Sequence, residues 1–247
     1  GIHHMDYHPY DEFRKYLNSI SNDDEIVNIH TLNHDLLFEH FCGSTDLNNR
    51  FTDGFTDKGS PYYGEIEVNN NIKKVYKIRL KYFNNNFSKS IRLFKLHGSI
   101  DVYSFNLGNP NHDKTRIKTD YGVSDFCKEI TNPETSEIEY INGYSGNYPD
   151  FLSGTTEKLR SYGNEYYDII FNHFRSNLEL TDKLIIIGYG FWDSGINKIL
   201  LEQYISKGKV PIVIDPYKSS SPFYNTYKFK HIEKSISEIT LAEFESL

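Results

Sequence analysis

The stretch Leu184-Ile-Ile-Ile-Gly-Tyr-Gly-Phe-Trp-Asp193 constrains the fold more than any other part of the chain. Four aliphatic residues run straight into Gly188-Tyr189-Gly190. Asp193-Ser194 then opens a segment with Ile196, Ile199, Leu200 and Tyr204 at helical spacing. A short unbroken apolar run predicts a strand buried on both faces. Asp or Ser is a favoured residue at a helix start. The pattern is therefore strand, tight glycine turn, helix, which is half a unit of a parallel α/β sheet. In open sheets of that kind, ligands sit at the carboxyl ends of strands. Glycine there lets a ligand approach the backbone, and the helix start offers free N–H groups. A lone Gly-x-Gly equally fits a turn that uses glycine only for its dihedral angles.

Three more apolar segments end in similar punctuation. Glu25 to Leu32 is β-branched and alternating, and runs into Asn33-His34-Asp35. Ile91 to Leu96 ends at His97-Gly98-Ser99, and Val210 to Ile214 ends at Asp215-Pro216. Helical periodicity marks Tyr10 to Ile20, Leu36 to Phe41, Glu165 to Leu178 and a terminal helix at Leu241 to Phe244. Ile66 to Tyr82 alternates around Asn69-Asn-Asn71 and predicts a hairpin. Gly108 to Pro149 holds no sustained period and is read as an irregular insertion over the sheet edge.

If the four strands are parallel neighbours, their ends share one rim. That rim carries an amide, an imidazole, carboxylates and free backbone N–H groups, a set suited to a ribose-containing ligand. His97 is the group there that titrates near neutrality. Each residue also has a plainer reading. His97 fits a core histidine, Asn33 a turn residue, Asp193 a helix cap, and Asp215 a turn before proline.

Bulk properties narrow the partners. The 247 residues carry a formal charge of −7, which disfavours nucleic acid and anionic membrane overall. No apolar stretch approaches the ~20 residues of a spanning helix. Val68 to Ile100 nevertheless holds eight Lys/Arg and no acid, the pattern of a solvated strand face or of a surface for phosphate. Cys42 and Cys127 are too few for an all-cysteine zinc site and fit a reducing compartment. His30, His34 and His40 lack a carboxylate at ligand spacing, so no metal is expected. Residues 1–5 read as an expression scar, leaving 6–247 as one α/β domain with an insertion at about 105–160.

Thr31-Leu-Asn33-His-Asp35, Lys95-Leu-His97-Gly98-Ser99-Ile-Asp101 and Ile187-Gly188-Tyr189-Gly190-Phe191-Trp-Asp193-x-x-Ile196-Asn197 together resemble the sirtuin-like domains, in particular the bacterial branch associated with anti-phage defence. Gly154-Thr155-x-x-Lys158 fits that branch as well. The resemblance spans roughly Phe13 to Pro216. It implies a Rossmann-like parallel sheet with flanking helices that binds NAD⁺ and cleaves its nicotinamide–ribose bond. It further implies Asn33 and His97 as the catalytic pair. Thr31, Asp35, Gly98, Gly188, Tyr189, Gly190, Phe191, Asp193 and Asp215 are then the cofactor-binding residues, Asp215 at the adenosine end. A cytoplasmic NAD⁺-depleting effector is implied, working as a homo-oligomer or with fused or partner defence subunits. The alternative is a sirtuin-like module that senses NAD⁺ or ADP-ribose without turnover.

Two departures from the family pattern matter. The paired-cysteine zinc module of protein-deacylating sirtuins is absent, which favours plain hydrolysis. The glycine-rich strand and loop that cradles pyrophosphate at the start of the family is also missing ahead of Asn33, so the chain reads as a fragment whose affinity and activity both depend on what that loop supplies.

Overall fold

The computed structural model describes residues 7–21, 25–70, 72–108, 115–120, 122–145, 149–152 and 165–247. The expected scar and the Gly154–Lys158 segment lie outside them. The architecture is mixed α/β.

The first helix, α1 (Asp11–Ile20), buries Phe13, Tyr16 and Leu17 along one stripe, with Asp11 and Glu12 in its first turn, where the helix dipole favours acids. Strand β1 (Val27–Thr31) follows, then α2 (Leu37–Gly43) and the two-residue β2 (Phe51–Thr52). The chain next builds β3 (Gly54–Thr56), β4 (Tyr62–Asn70), β5 (Ile72–Arg79) and β6 (Lys81–Asn86), and returns to β7 (Ile91–Lys95). A second excursion forms β8 (Val102–Asn106), β9 (Thr115–Lys118), β10 (Val123–Thr131), β11 (Ile138–Asn142) and β12 (Tyr144–Ser145). The remainder alternates: α3 (Glu165–Leu180), β13 (Ile185–Ile187), α4 (Ser194–Gln203), β14 (Ile212–Ile214), α5 (Pro222–Thr226), β15 (Lys230–Ile232) and α6 (Leu241–Glu245).

These strands form four sheets rather than one. β1-β7-β2 and β13-β14-β15 are parallel and three-stranded. The other nine strands make a four-stranded sheet, β11-β10-β4-β5, and a five-stranded sheet, β12-β8-β9-β6-β3, both antiparallel. The expectation of a predominantly parallel sheet is corrected accordingly: parallel pairing is confined to two small sheets, and the largest sheets are antiparallel. The physical reason is that local hairpins, such as Tyr63↔Arg79 through Asn70↔Ile72, satisfy their backbone groups without a crossover helix.

The region expected to be irregular carries β9 to β12. Its alternation is hidden by a register shift between Ser124 and Cys127 and by Asp125 at φ 49°. The predicted 66–82 hairpin is present as β4–β5. The last parallel strand is β15 rather than the one at Val210–Ile214.

Both parallel sheets feed the same two cores. On one side, Phe94, Leu96, Val213 and Ile186 meet Ile170, Phe174, Ile196 and Leu200 from α3 and α4. On the other, Ile91, Ile29, Ile185 and Ile214 meet Phe13 and Leu17 of α1, Phe41 of α2 and Phe244 of α6. Adjacent residues thus point to opposite sides, as a strand covered by helices on both faces requires. The antiparallel layer has a small core of its own, formed by Tyr62, Leu80, Phe105 and Ile117. Among the described residues, no helix is long and apolar enough to cross a membrane.

Candidate functional site

The site grows from two hydrogen-bonded neighbours. β1 and β7 run parallel with Thr31 opposite Lys95, and the Leu96 amide donates to the Thr31 carbonyl (2.9 Å). Asn33 and His97 therefore each lie two residues beyond a matched pair, at the carboxyl ends of adjoining strands. Asn33 is exposed; its backbone N–H donates to Thr31 Oγ1 (3.1 Å), and no described residue bonds its side-chain amide. His97 is largely enclosed. The His34 ring lies 6.2 Å from it, Phe151 covers His34, and the Leu152 amide donates to the His97 carbonyl (2.8 Å).

His97 also reaches the second parallel sheet, its Nε2 being 3.4 Å from Asp193 Oδ2. Asp193 is the N-cap of α4, accepting from the Ile196 N–H through its other oxygen (3.0 Å), a cap of about 1 kcal/mol. One carboxylate thus caps a helix and faces an imidazole. Burial pushes the His97 pKa below its ordinary value; Asp193 works against that, and His34 adds to it. The net direction keeps His97 a neutral base at pH 7.

The glycines divide by role. Gly188 (φ 63°) has no described residue within 4 Å of where a Cβ would stand, so among the described residues the space over this turn is open. Gly98 (φ 83°) is tightly packed instead: a Cβ would sit 2.3 Å from the Asp150 carbonyl and 2.5 Å from the Tyr167 hydroxyl. Its identity follows from how closely the 149–152 segment crosses the strand end.

Phe191 departs from expectation in character. It is a non-glycine residue at φ 60°, 1% exposed, packed among Tyr189, Tyr224 and Phe229. Asn197 Nδ2 donates to its carbonyl (2.8 Å), and the Tyr189 hydroxyl donates to Asn197 Oδ1 (2.9 Å), so two side chains pin the strained turn. Beside this turn lies a cleft of about 250 Å³, lined by Tyr189, Gly190, Trp192, Asp215, Tyr217 and Ser219 among others. Trp192 and Tyr217 are exposed there, and Asp215 Oδ1 accepts from the Tyr217 N–H (2.8 Å). Asp35 is exposed and accepts from the Leu37 N–H (3.0 Å), holding the turn into α2.

The structure thus gathers Thr31, Asn33, Asp35, His97, Gly98 and Asp193 around the ends of β1 and β7 and the start of α4. Gly188, Tyr189, Gly190, Phe191 and Asp215 lie along the β13 and β14 ends. Sequence reasoning gave no role to a buried ionic group beside them. Lys95 is within 3.1 Å of Glu39 Oε1. Lys118 lies 2.7 Å from Asp53, 3.2 Å from Glu39 and 3.5 Å from Asp101. Burial alone would lower the Lys118 pKa, but the three carboxylates drive it upward. The available signal was Lys95 itself: a lysine inside the apolar run Leu93-Phe94-Lys95-Leu96 must meet a counter-charge. Neither the protein-family models nor the curated proteins yield a match to this chain.

Proposed function

We propose that the chain is an NAD⁺ glycohydrolase, a Rossmann-like, sirtuin-like module that depletes cytoplasmic NAD⁺ in anti-phage defence. The observation that carries this reading is the placement of Asn33 and His97 at the ends of neighbouring parallel strands, with Asp193 3.4 Å from the imidazole. Helices on both faces of the parallel strands, and a change of sheet between β1 and β13, fit a dinucleotide laid across the carboxyl rim. The open space over Gly188 suits pyrophosphate, and the cleft of Trp192, Asp215 and Tyr217 suits the adenosine end.

The chemistry follows from the residues. Departure of nicotinamide leaves oxocarbenium character at the ribose carbon. The Asn33 amide orients a water toward that carbon. His97, neutral before the reaction, takes a proton from the water or from a ribose hydroxyl. Asp193 stabilises the imidazolium that results.

The test is nicotinamide release from NAD⁺ by the purified protein, followed by chromatography. Asn33→Ala and His97→Ala should each lower turnover by about 10²–10⁴-fold. Full turnover in both variants overturns the assignment. Calorimetric NAD⁺ binding with no nicotinamide released would instead make the module a sensor.

A further inference from the structure

We infer that Lys95 is a positioning residue whose ammonium holds the Asn33 turn against the His97 turn; the inference rests on the catalytic reading above. Lys95 ends β7 and is 6% exposed. Its Nζ donates to the Asp35 carbonyl and to the His34 carbonyl (3.5 Å), both in the turn that carries Asn33. It also donates to Ser99 Oγ (3.1 Å), in the turn that carries His97. Glu39 on α2 supplies the counter-charge at 3.1 Å. Ser99 Oγ in turn donates to Asp101 Oδ1 (2.6 Å). Beyond β1–β7 pairing, the direct bond between the turns among the described residues is the Ile100 N–H donating to the His34 carbonyl (3.1 Å).

Stability alone does not account for this lysine. A buried ion pair is often no better than an apolar residue of similar volume. What methionine could not do is bond two turns at once from one atom. Lys95 carries the donors that do so, and a misplacement of about 1 Å between reacting groups costs on the order of 10²-fold in rate.

Lys95→Met and the charge-matched double variant Lys95→Met/Glu39→Gln separate geometry from stability, since the double variant leaves no orphan carboxylate of that pair. Four quantities are read: thermal midpoint, hydrogen exchange at the Ile100 and Leu37 amides, kcat, and NAD⁺ affinity. In the double variant the midpoint should return toward wild type. Exchange at Ile100 and Leu37 should stay faster by about tenfold, the worth of one lost hydrogen bond. The Gly188 and Ile212 amides, bonded within β13–β14, should be unchanged. Turnover should remain about 10²-fold down with NAD⁺ affinity held. Wild-type exchange at Ile100 and Leu37, or wild-type kcat, overturns the inference. If the wild-type protein releases no nicotinamide, the glycohydrolase reading falls, and the exchange comparison by itself decides the role of Lys95.

Discussion

Nε2 of His97 stands 3.4 Å from Oδ2 of Asp193, a contact that joins the end of one parallel sheet to the helix following the other. Asp193 raises the His97 pKa while burial and His34 lower it. Asp193→Asn keeps a side-chain oxygen for the α4 cap and removes the charge. His97 should then hold its proton less firmly. If His97 is the base of the proposed reaction, the acid limb of the kcat/KM profile should fall below the ordinary imidazole value of 6.5 and shift to still lower pH in the variant. A pH–rate series on the two proteins checks this; a limb that moves upward refutes the pairing.

Lys118→Met removes the cation facing Asp53, Glu39 and Asp101. Burial pushes the Asp53 carboxyl up, yet Lys118, with the Phe55 N–H and Lys81, holds Asp53 below its ordinary range. Without Lys118, Asp53 and Asp101 lose their shared cation and Glu39 keeps only Lys95 among the described residues. A loss of roughly 3–5 kcal/mol is expected from breaking a buried ion pair on one side. Urea unfolding reads it, and an unchanged midpoint would show that the group is open to water.

His30 makes acid stability informative. Its ring stacks on Phe94 (4.7 Å between centroids), and its Nε2 is 3.2 Å from Asn177 Nδ2. Burial, with a smaller push from His173, lowers its pKa from 6.5 to about 3. Between those values the unfolded chain binds a proton that the folded chain refuses, so stability falls as pH drops. The slope approaches about 1.4 kcal/mol per pH unit for one group. His30→Phe should flatten this part of the stability curve between pH 6 and 4. Parallel curves for the two proteins would mean that His30 titrates normally.

Gly98 and Gly188 should respond differently to alanine. At Gly188 the cost is the left-handed backbone alone, about 1–2 kcal/mol, since no described residue lies within 4 Å. At Gly98 the same backbone cost is joined by collisions with the Asp150 carbonyl and the Tyr167 hydroxyl. Gly98→Ala should therefore lower the melting temperature further, while Gly188→Ala, on the proposed NAD⁺-binding reading, should mainly weaken that binding. Melting curves and calorimetry separate the two, and equal losses of stability would contradict the packing.

Periodicity made the helices and the apolar strands of the parallel layer readable. Phe13, Tyr16 and Leu17 marked α1, and Ile185 to Ile187 marked β13. An unbroken apolar run says that a strand is covered on both faces but not how wide its sheet is. β15 went unread: Lys230-His231-Ile232 is short, and its register against Ile212–Ile214 is a long-range fact. β10 was hidden by its bulge. The rim residues were legible because polar punctuation follows apolar strands. Of the ionic group only Lys95 was legible, since Lys118, Asp53 and Glu39 sit on separate segments and meet only in the fold.

Val27 pairs with Ile91, and the whole of β2 to β6 lies between them in the chain. Hairpins close in microseconds, whereas distant parallel strands must first meet the entropy of a long loop. The order of assembly is thereby biased: β4–β5 forms early, and the strand ends bearing Asn33 and His97 come together late. Pulse-labelled exchange during refolding should show β4–β5 amides protected before those of β1. On the proposed glycohydrolase reading, a newly made chain would then bring Asn33 and His97 together only at the last stage of folding, after the rest of the molecule is in place.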